Sequence, residues 1–407
     1  MFAKFVTFAV IGVFAWMVPP AKAAEEGVEF YIAADFLISA AAAQSIELGV
    51  QTALDEVGNA LAGEPVRLIR MDHRSNVKRA GRTYQTYVKS DRALAIIGGK
   101  QSPPYLAHKE YINSNGVLKL LPWSAAGPVT RGNDGLENWV FRLSVDDAQS
   151  GKFFVEQAIE KDGCARVAFF LLNTGWVRAN QKSLTAALAE RGMKSTATEF
   201  FSSSIGEATA VSLAARTKRS QADCAVMLSN WVDGALILNT LHRADLDIRI
   251  YSHWGIIGRA FTEHVSDESR RALHLKVLQT CALRQERAGN PILEQALHRV
   301  SPEKAALKDL RAATGFVHGY DLTRVLVAAI EQAAPDDDWK SADITQKRAL
   351  VRNALERIEQ PVAGILNTYD PPFHPFEPGA VNAYEALGQQ DLCFAQFSSE
   401  GQLEDAG

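Results

Sequence analysis

Past its first two dozen residues, the chain switches repeatedly between two hydrophobic periods. Val28 to Ala33 (VEFYIA) is a run of β-branched and aromatic residues and predicts a strand. Ser39 to Val57 then places apolar residues at helical spacing and closes at Gly58-Asn59, a helix-stop signal. Pro65 to Met71 predicts a second strand, Asn76 to Lys89 a basic helix, and Leu94 to Ile97 a short buried strand ending in Gly98-Gly99. Ser102-Pro103 pairs a capping hydroxyl with a first-turn proline, so a helix should open there. Val117 to Leu121 is the next strand and ends at Pro122.

The same pattern restarts after Val140. Helices are expected over Asp146 to Glu160, Ala179 to Glu190 and Gly234 to His242. Strands are expected over Arg166 to Leu172, Ala225 to Leu228, Ile248 to Ser252 and Leu273 to Gln279. Beyond that point the pattern is helical, over Pro302 to Ala313, His318 to Ala333 and Ile344 to Ile358. Alternation of strand and helix predicts an α/β protein whose mainly parallel sheets are covered by helices on both faces. Two such runs, with no linker rich in proline, glycine or serine between them, predict two similar lobes sharing a crevice. No internal repeat is visible at the residue level.

The first 23 residues stand apart from this pattern. A basic Lys4, an apolar run from Phe5 to Val18 and the small-x-small triplet Ala21-Lys22-Ala23 predict a secretory signal peptide cleaved after Ala23, with an uncleaved N-terminal anchor as the alternative. The apolar run is about 14 residues, short of the roughly 20 a membrane span needs. No cysteine follows it, which argues against a lipid anchor, and no later stretch is apolar for long enough to cross a bilayer. A soluble, exported, periplasmic protein is therefore expected, in a compartment where cysteines can pair.

Charge and motifs narrow the function mainly by exclusion. The 43 basic residues against 47 acidic ones leave a net charge of -4, without the basic excess of a nucleic-acid binder. The nine histidines are scattered from His73 to His374 and supply no metal-ligand spacing, so no metal or cofactor is expected. GxSxG, HExxH and GxGxxG are absent, and no enzyme is expected. Gly99-Lys100-Gln101-Ser102 looks like part of a phosphate loop, but Leu94 stands where that motif needs glycine. Asp146-Asp147 and Asp336 to Asp338 read as helix-start charges or solvated loop rather than an acid/base pair. Thr217-Lys218-Arg219 reads as an exposed helix end.

Topology locates the candidate site. In open parallel sheets ligands sit outside the carboxyl ends of the strands. The residues just after the predicted strands are Ala33 to Phe36, Gly99 to Ser102, Trp123 to Ala126, Asn173 to Trp176, Ser229 to Trp231 and Ser252 to Trp254. Four tryptophans (Trp123, Trp176, Trp231 and Trp254) fall in these loops, and their clustering at one crevice favours ligand contact over packing. Trp139 and Trp339 are taken as structural.

The segments IIGGKQSPPYLAHKEYINSNGVLKLLPWSAAGPVTR, WVFRLSVDDAQSGKF, LLNTGWVRANQKSLTAALAERG, IRIYSHWGIIG and GYDLTRVLVAAIEQA are, in that order and spacing, similar to the leucine/isoleucine/valine-binding family of periplasmic solute receptors for ABC transporters. The resemblance spans essentially the whole chain after residue 23. It implies the type I periplasmic binding protein fold, two lobes crossed three times by the chain and closing on a solute like a hinge. The lobes would comprise residues 24–143 with 281–368, and 144–280 with the tail 369–407. Crossings are expected near Leu143 to Asp146, Gln279 to Arg284 and Asn367 to Pro371.

By position, Ser102 matches the family's ligand-carboxylate hydroxyl. Trp123 to Ala125 match its next pocket loop, and Trp176 an aromatic of the opposite lobe. The ligand-binding set expected is then Gln101, Ser102, Trp123, Ser124, Ala125, Ala126, Trp176, Trp231, His253 and Trp254. Two departures count against an unmodified branched-chain amino acid. Trp254 stands where such receptors place an acid for the ligand ammonium, and Pro104 removes an N–H near the start of the Ser102 helix.

The resemblance implies a receptor that hands a small organic solute, an amino acid or another carboxylate-bearing compound, to an ABC transporter permease, acting as a monomer. A same-fold sensor feeding a signalling pathway is the alternative role, and a quaternary ammonium caged by tryptophans the alternative ligand. Cys164 and Cys224 each precede a strand of the second lobe that should neighbour the other. Cys281 follows that lobe's last strand, and Cys393 lies in the tail that should return to it. Cys164–Cys224 and Cys281–Cys393 are therefore expected among the three possible pairings, with four buried free thiols as the alternative.

Overall fold

In a computed structural model, residues 27–131, 138–257, 261–303, 306–335, 337–375 and 383–407 are described. The expected signal peptide and the start of the mature chain at Ala24 lie outside them. The first six strands are β1 (Val28–Ala34), β2 (Ala60–Leu61), β3 (Glu64–Asp72), β4 (Ala93–Gly98), β5 (Lys119–Leu121) and β6 (Val140–Arg142). They form one sheet in the order β2-β3-β1-β4-β5-β6, parallel except for the short edge strand β2. Every residue of β1, β4 and β5 is buried, and apart from Glu29 and Lys119 these strands are apolar throughout.

The chain then builds a second sheet. Its strands are β7 (Val167–Leu172), β8 (Ala197–Phe201), β9 (Cys224–Leu228), β10 (Arg249–Ser252) and β11 (Lys276–Thr280). A two-stranded ribbon, β12 (Val362–Ala363) with β13 (Thr368–Tyr369), lies apart. Strands β14 (Leu392–Phe397) and β15 (Leu403–Asp405) return to the second sheet, giving the order β15-β14-β11-β10-β9-β7-β8, with β14 and β15 antiparallel. Between β11 and β14 the long helix Ala313–Ala333 packs on the helix Ala40–Glu56, and the helix Ile344–Leu355 packs against β4, all on the first sheet's side. Glycines allow the first of these contacts. A Cβ on Gly49 would lie 2.0 Å from the Phe316 carbonyl oxygen, and one on Gly319 would lie 2.5 Å from that of Ile46.

Two α/β lobes result, as expected. One predicted helix is corrected. Pro302 to Ala313 is not helical: Leu307–Asp309 form a single 3-10 turn, Leu310 is extended, and residues 304 and 305 lie outside the described set. The helix lies earlier, at Pro291–Val300, where Asn290 caps it by accepting from the Ile292 and Leu293 N–H groups. Asn290-Pro291 is a cap followed by a first-position proline, the usual start signal of a helix.

Both expected disulfides are present. Cys164–Cys224 has its Cα atoms 6.0 Å apart, and Cys281–Cys393 has them 5.0 Å apart. The first ties the approach to β7 to the start of β9; the second ties the residue after β11 to β14.

Candidate functional site

The wall formed by the first sheet is built from the loops after β4 and β5. Ser102 precedes the short helix Pro103–Leu106, but its hydroxyl does not cap that helix. Pro104 holds the position whose N–H a capping hydroxyl would take, so the hydroxyl turns elsewhere. Ser102 Oγ lies 2.7 Å from Ser124 Oγ and accepts from the Ala126 N–H at 3.3 Å. Two hydroxyls share one hydrogen bond here, which consumes one of their two O–H donors. Ser102, Ser124, Ala125 and Ala126 are all buried. Gln101 donates its amide to Ser39 Oγ, leaving its buried Oε1 without a partner.

The loop Trp123 to Ala126 is held from behind by the chain's first passage between sheets. Arg142, fully buried at the end of β6, donates to the Ala126 carbonyl at 2.9 Å and pairs with Glu385 and Asp146. Arg131 pairs with the same two acids, so two cations face two carboxylates and the buried cluster is close to neutral. Asp147, one residue on, donates its backbone N–H to the Ala125 carbonyl at 2.8 Å. Trp123 is 2% exposed and fits against Gly315, where a Cβ would lie 3.1 Å from the indole.

The facing wall comes from the loops after β7, β9 and β10. His253 and Trp254 follow β10, and Trp176 sits in the first turn of the helix Gly175–Ala189 after β7. That helix starts four residues earlier than its sequence suggested, which carries Trp176 to the sheet end. The Trp176 ring lies 5.2 Å from His253, and His253 lies 4.7 Å from Trp254. The Trp254 ring meets Trp123 edge-on at 6.4 Å, joining the two walls. Lys100 also reaches across, its Nζ 5.4 Å from the Trp123 ring centre and 3.5 Å from the Ile257 carbonyl. Burial pushes its amine down to about 8.

Trp231 does not join this group. As the first residue of the helix Trp231–Arg243 it stacks on His264 at 5.7 Å, and it makes no ring contact with the other three tryptophans. Trp139 and Trp339 are buried away from the crevice, Trp339 beneath the Lys347 ammonium.

One acid escaped the sequence reading. The helix-start role fits Asp146, whose carboxylate accepts from the Ala148 N–H. Asp147 is different: it is buried, and its Oδ1 lies 3.2 Å from His253 Nε2. Spacing alone could not separate the two. Around the crevice, Gln101 Oε1, Trp123 Nε1, Asp147 Oδ1, Ser229 Oγ and both ring nitrogens of His253 are buried without a hydrogen-bond partner. Such atoms are rare in folded proteins, and here both walls contribute them at strand ends. His318 sits behind Trp123 at 6.3 Å between ring centres, with Nδ1 2.7 Å from the Pro122 carbonyl and Nε2 2.9 Å from Thr280 Oγ1. Burial lowers its pKa to about 3, so it is neutral.

Residues 38–376 match the family model described as periplasmic binding protein. Among solved structures, the leucine binding protein LivK of Thermotoga maritima is 19% identical with a TM-score of 0.71, the match covering 93% of this chain and 98% of that one. An extracellular ligand-binding receptor from Rhodopseudomonas palustris HaA2 is 16% identical with a TM-score of 0.73, covering 94% and 100%. The branched-chain amino acid transporter substrate binding protein LivJ of Streptococcus pneumoniae, solved with isoleucine, is 14% identical with a TM-score of 0.68, covering 93% and 99%. Among curated proteins none matches. No helix among the described residues is long and apolar enough to cross a membrane.

Proposed function

The chain belongs to the periplasmic binding protein family, and from that premise we propose that it is an exported receptor for a small carboxylate-bearing solute, which it delivers to an ABC transporter permease. The observation that carries this reading is the single buried constellation at the strand ends of both sheets, where polar atoms from each wall lack partners. Enclosure by aromatic rings with a few convergent polar groups is the usual make-up of a small-molecule site. Two of the related structures, a leucine binding protein and a transporter substrate binding protein solved with isoleucine, support the same class of solute.

In this reading residues 1–23 direct export and are removed. Residues 24–143 with 281–368 form one lobe, 144–280 with 369–407 the other, and the protein acts as a monomer. The Ser102–Ser124 pair offers its unused O–H to a ligand carboxylate, helped by backbone N–H groups around Ser124 to Ala126. Gln101 flanks that pair, while Trp123, Trp176, His253 and Trp254 enclose the apolar part. Trp231, stacked on His264, is the member of the expected set that stands apart.

Two measurements test this. Small molecules released from the purified, denatured protein should include a carboxylic acid by mass spectrometry. That compound should change tryptophan fluorescence when added back, because it would lie against the Trp123, Trp176 and Trp254 rings. Equal binding of the recovered compound to Ser102→Ala, Trp176→Ala and Trp254→Ala proteins would place the site elsewhere.

A further inference from the structure

We propose that the first lobe holds a halide ion in its core, bound by Lys119, Tyr84 and His73. This goes beyond the solute reading and does not depend on it, because none of the three residues belongs to the crevice set. Lys119 comes from β5, His73 is the residue after β3, and Tyr84 lies on the helix Val77–Lys89. The Tyr105 ring brings them together. Lys119 Nζ lies 4.4 Å from its centre, and the His73 ring meets it edge-on at 6.0 Å. The same ammonium lies 5.5 Å from the Tyr84 ring centre. Gly98 leaves it room, since a Cβ there would lie 3.3 Å from Nζ. All three side chains are buried.

What this cluster lacks is an acceptor. Lys119 Nζ, Tyr84 Oη and His73 Nε2 are each buried without a hydrogen-bond partner. His73 Nδ1 accepts from the Ser75 N–H at 3.1 Å. Burial lowers the His73 pKa to about 4, so the ring is neutral and carries its hydrogen on Nε2. All three unmet atoms are therefore donors. The acceptors around them are engaged. The Ala33 carbonyl, close enough to raise the His73 pKa, accepts from the Tyr105 hydroxyl at 3.1 Å. Asp35 accepts from the Leu37 and Ile38 N–H groups and the Ser75 hydroxyl, and Asp72 pairs with Arg74. Among the described residues no acid pairs with Lys119, whose amine is lowered by burial alone.

The surroundings select the ligand. Burying an ammonium is costly unless an opposite charge reaches it. A water molecule brings two O–H groups of its own and leaves that charge unbalanced. An anion accepts from all three donors and neutralises the ammonium. The walls are the Tyr84 and Tyr105 rings, which offer the several oxygens of a phosphate or sulfate no further donors. A monatomic ion needs none.

The test uses the purified full-length protein in halide-free buffer. Melting temperature is followed while sodium chloride, sodium bromide or sodium gluconate is added to equal ionic strength. The halides should raise it along a saturating curve, by about 2–4 °C at fivefold the dissociation constant, and gluconate should not. Lys119→Met should abolish the halide-specific rise, and Tyr84→Phe should weaken halide affinity about tenfold. The comparison is of response to halide within each protein, not of stability between proteins. Crystals grown in bromide should show an anomalous peak within hydrogen-bond reach of Lys119 Nζ. Equal effects of halide and gluconate overturn the proposal, as does a halide-specific rise that persists in Lys119→Met. Water instead of bromide beside Nζ also overturns it. If neither variant folds, the salt comparison and the bromide crystal of the unaltered protein decide the matter.

Discussion

The two walls of the crevice are finished to different degrees. On the first, the hydroxyls of Ser102 and Ser124 bond each other, and Arg142 and the Asp147 N–H pin the loop behind them. The first leaves Gln101 Oε1 and Trp123 Nε1 unmet, and the second leaves more: both ring nitrogens of His253 and Ser229 Oγ, with Asp147 Oδ1 unmet between the walls. Their scaffolds differ in the opposite sense. Both disulfides brace the second sheet and its approach, whereas the first sheet has none and even buries an unpartnered lysine, Lys119, in β5. Unmet polar groups at a wall weaken a fold, and cross-links that restrict the unfolded chain are one way to hold such a wall in place. The difference suggests a rigid platform opposed by a wall that the ligand completes.

The largest expected effect comes from removing the bracing. Cys281→Ser with Cys393→Ser should cost about 2–4 kcal/mol of unfolding free energy. Chemical denaturation should show the second lobe unfolding first, and a loss spread evenly over both lobes would break the contrast. Trp254→Ala comes next. It removes the ring that joins the walls and should weaken binding of the recovered solute by about 2–3 kcal/mol, roughly 30- to 150-fold, as read by calorimetry.

Lys119→Met probes the first lobe's weak point. Burial holds the Lys119 amine well below its ordinary 10.5, with the Tyr105 ring 4.4 Å away and the Tyr84 ring 5.5 Å away. The unfolded chain therefore binds the extra proton below about 10.5, and native stability falls as pH drops through that range. Replacing the amine by methionine should raise the melting temperature at pH 7, by a margin that shrinks toward pH 10.5. A margin independent of pH would show that packing, not the proton, separates the two proteins. Smallest is Ser102→Ala, expected to cost about 1 kcal/mol of binding, because Ser124 can still offer its hydroxyl to the same ligand oxygen. A loss as large as that of Trp254→Ala would mean the first wall is no preformed platform.

What the sequence disclosed follows from burial. Strands β4, β7 and β9 are apolar along their length, and β1 and β10 nearly so, because helices or loops cover both faces, and each was legible as a run. The edge strand β8 (ATEFF) alternates exposed and half-buried residues and passed unnoticed between two helices. Strand β14 escaped because its pairing partner, β11, lies more than a hundred residues back along the chain, and β15 because it is added to β14. At the site, the strand-end argument placed Ser102, Trp123, Trp176, His253 and Trp254 together. It failed for Trp231, because a residue that opens a helix can turn toward either side of the sheet end. It also missed Asp147, since two adjacent acids at a helix start are identical in one dimension and differ only in which side chain meets the arginines.

His318 has a consequence of its own. A carbonyl can only accept, so the nitrogen facing Pro122 must be the one that carries hydrogen, and the other accepts from Thr280. The ring is thereby fixed as a single tautomer linking the end of β5 to the end of β11. With burial lowering its pKa to about 3, it stays neutral from mildly acidic to alkaline surroundings. Whatever acidity does to solute capture over that range, this strut contributes nothing to it, and the link between the two sheets keeps one bonding pattern throughout.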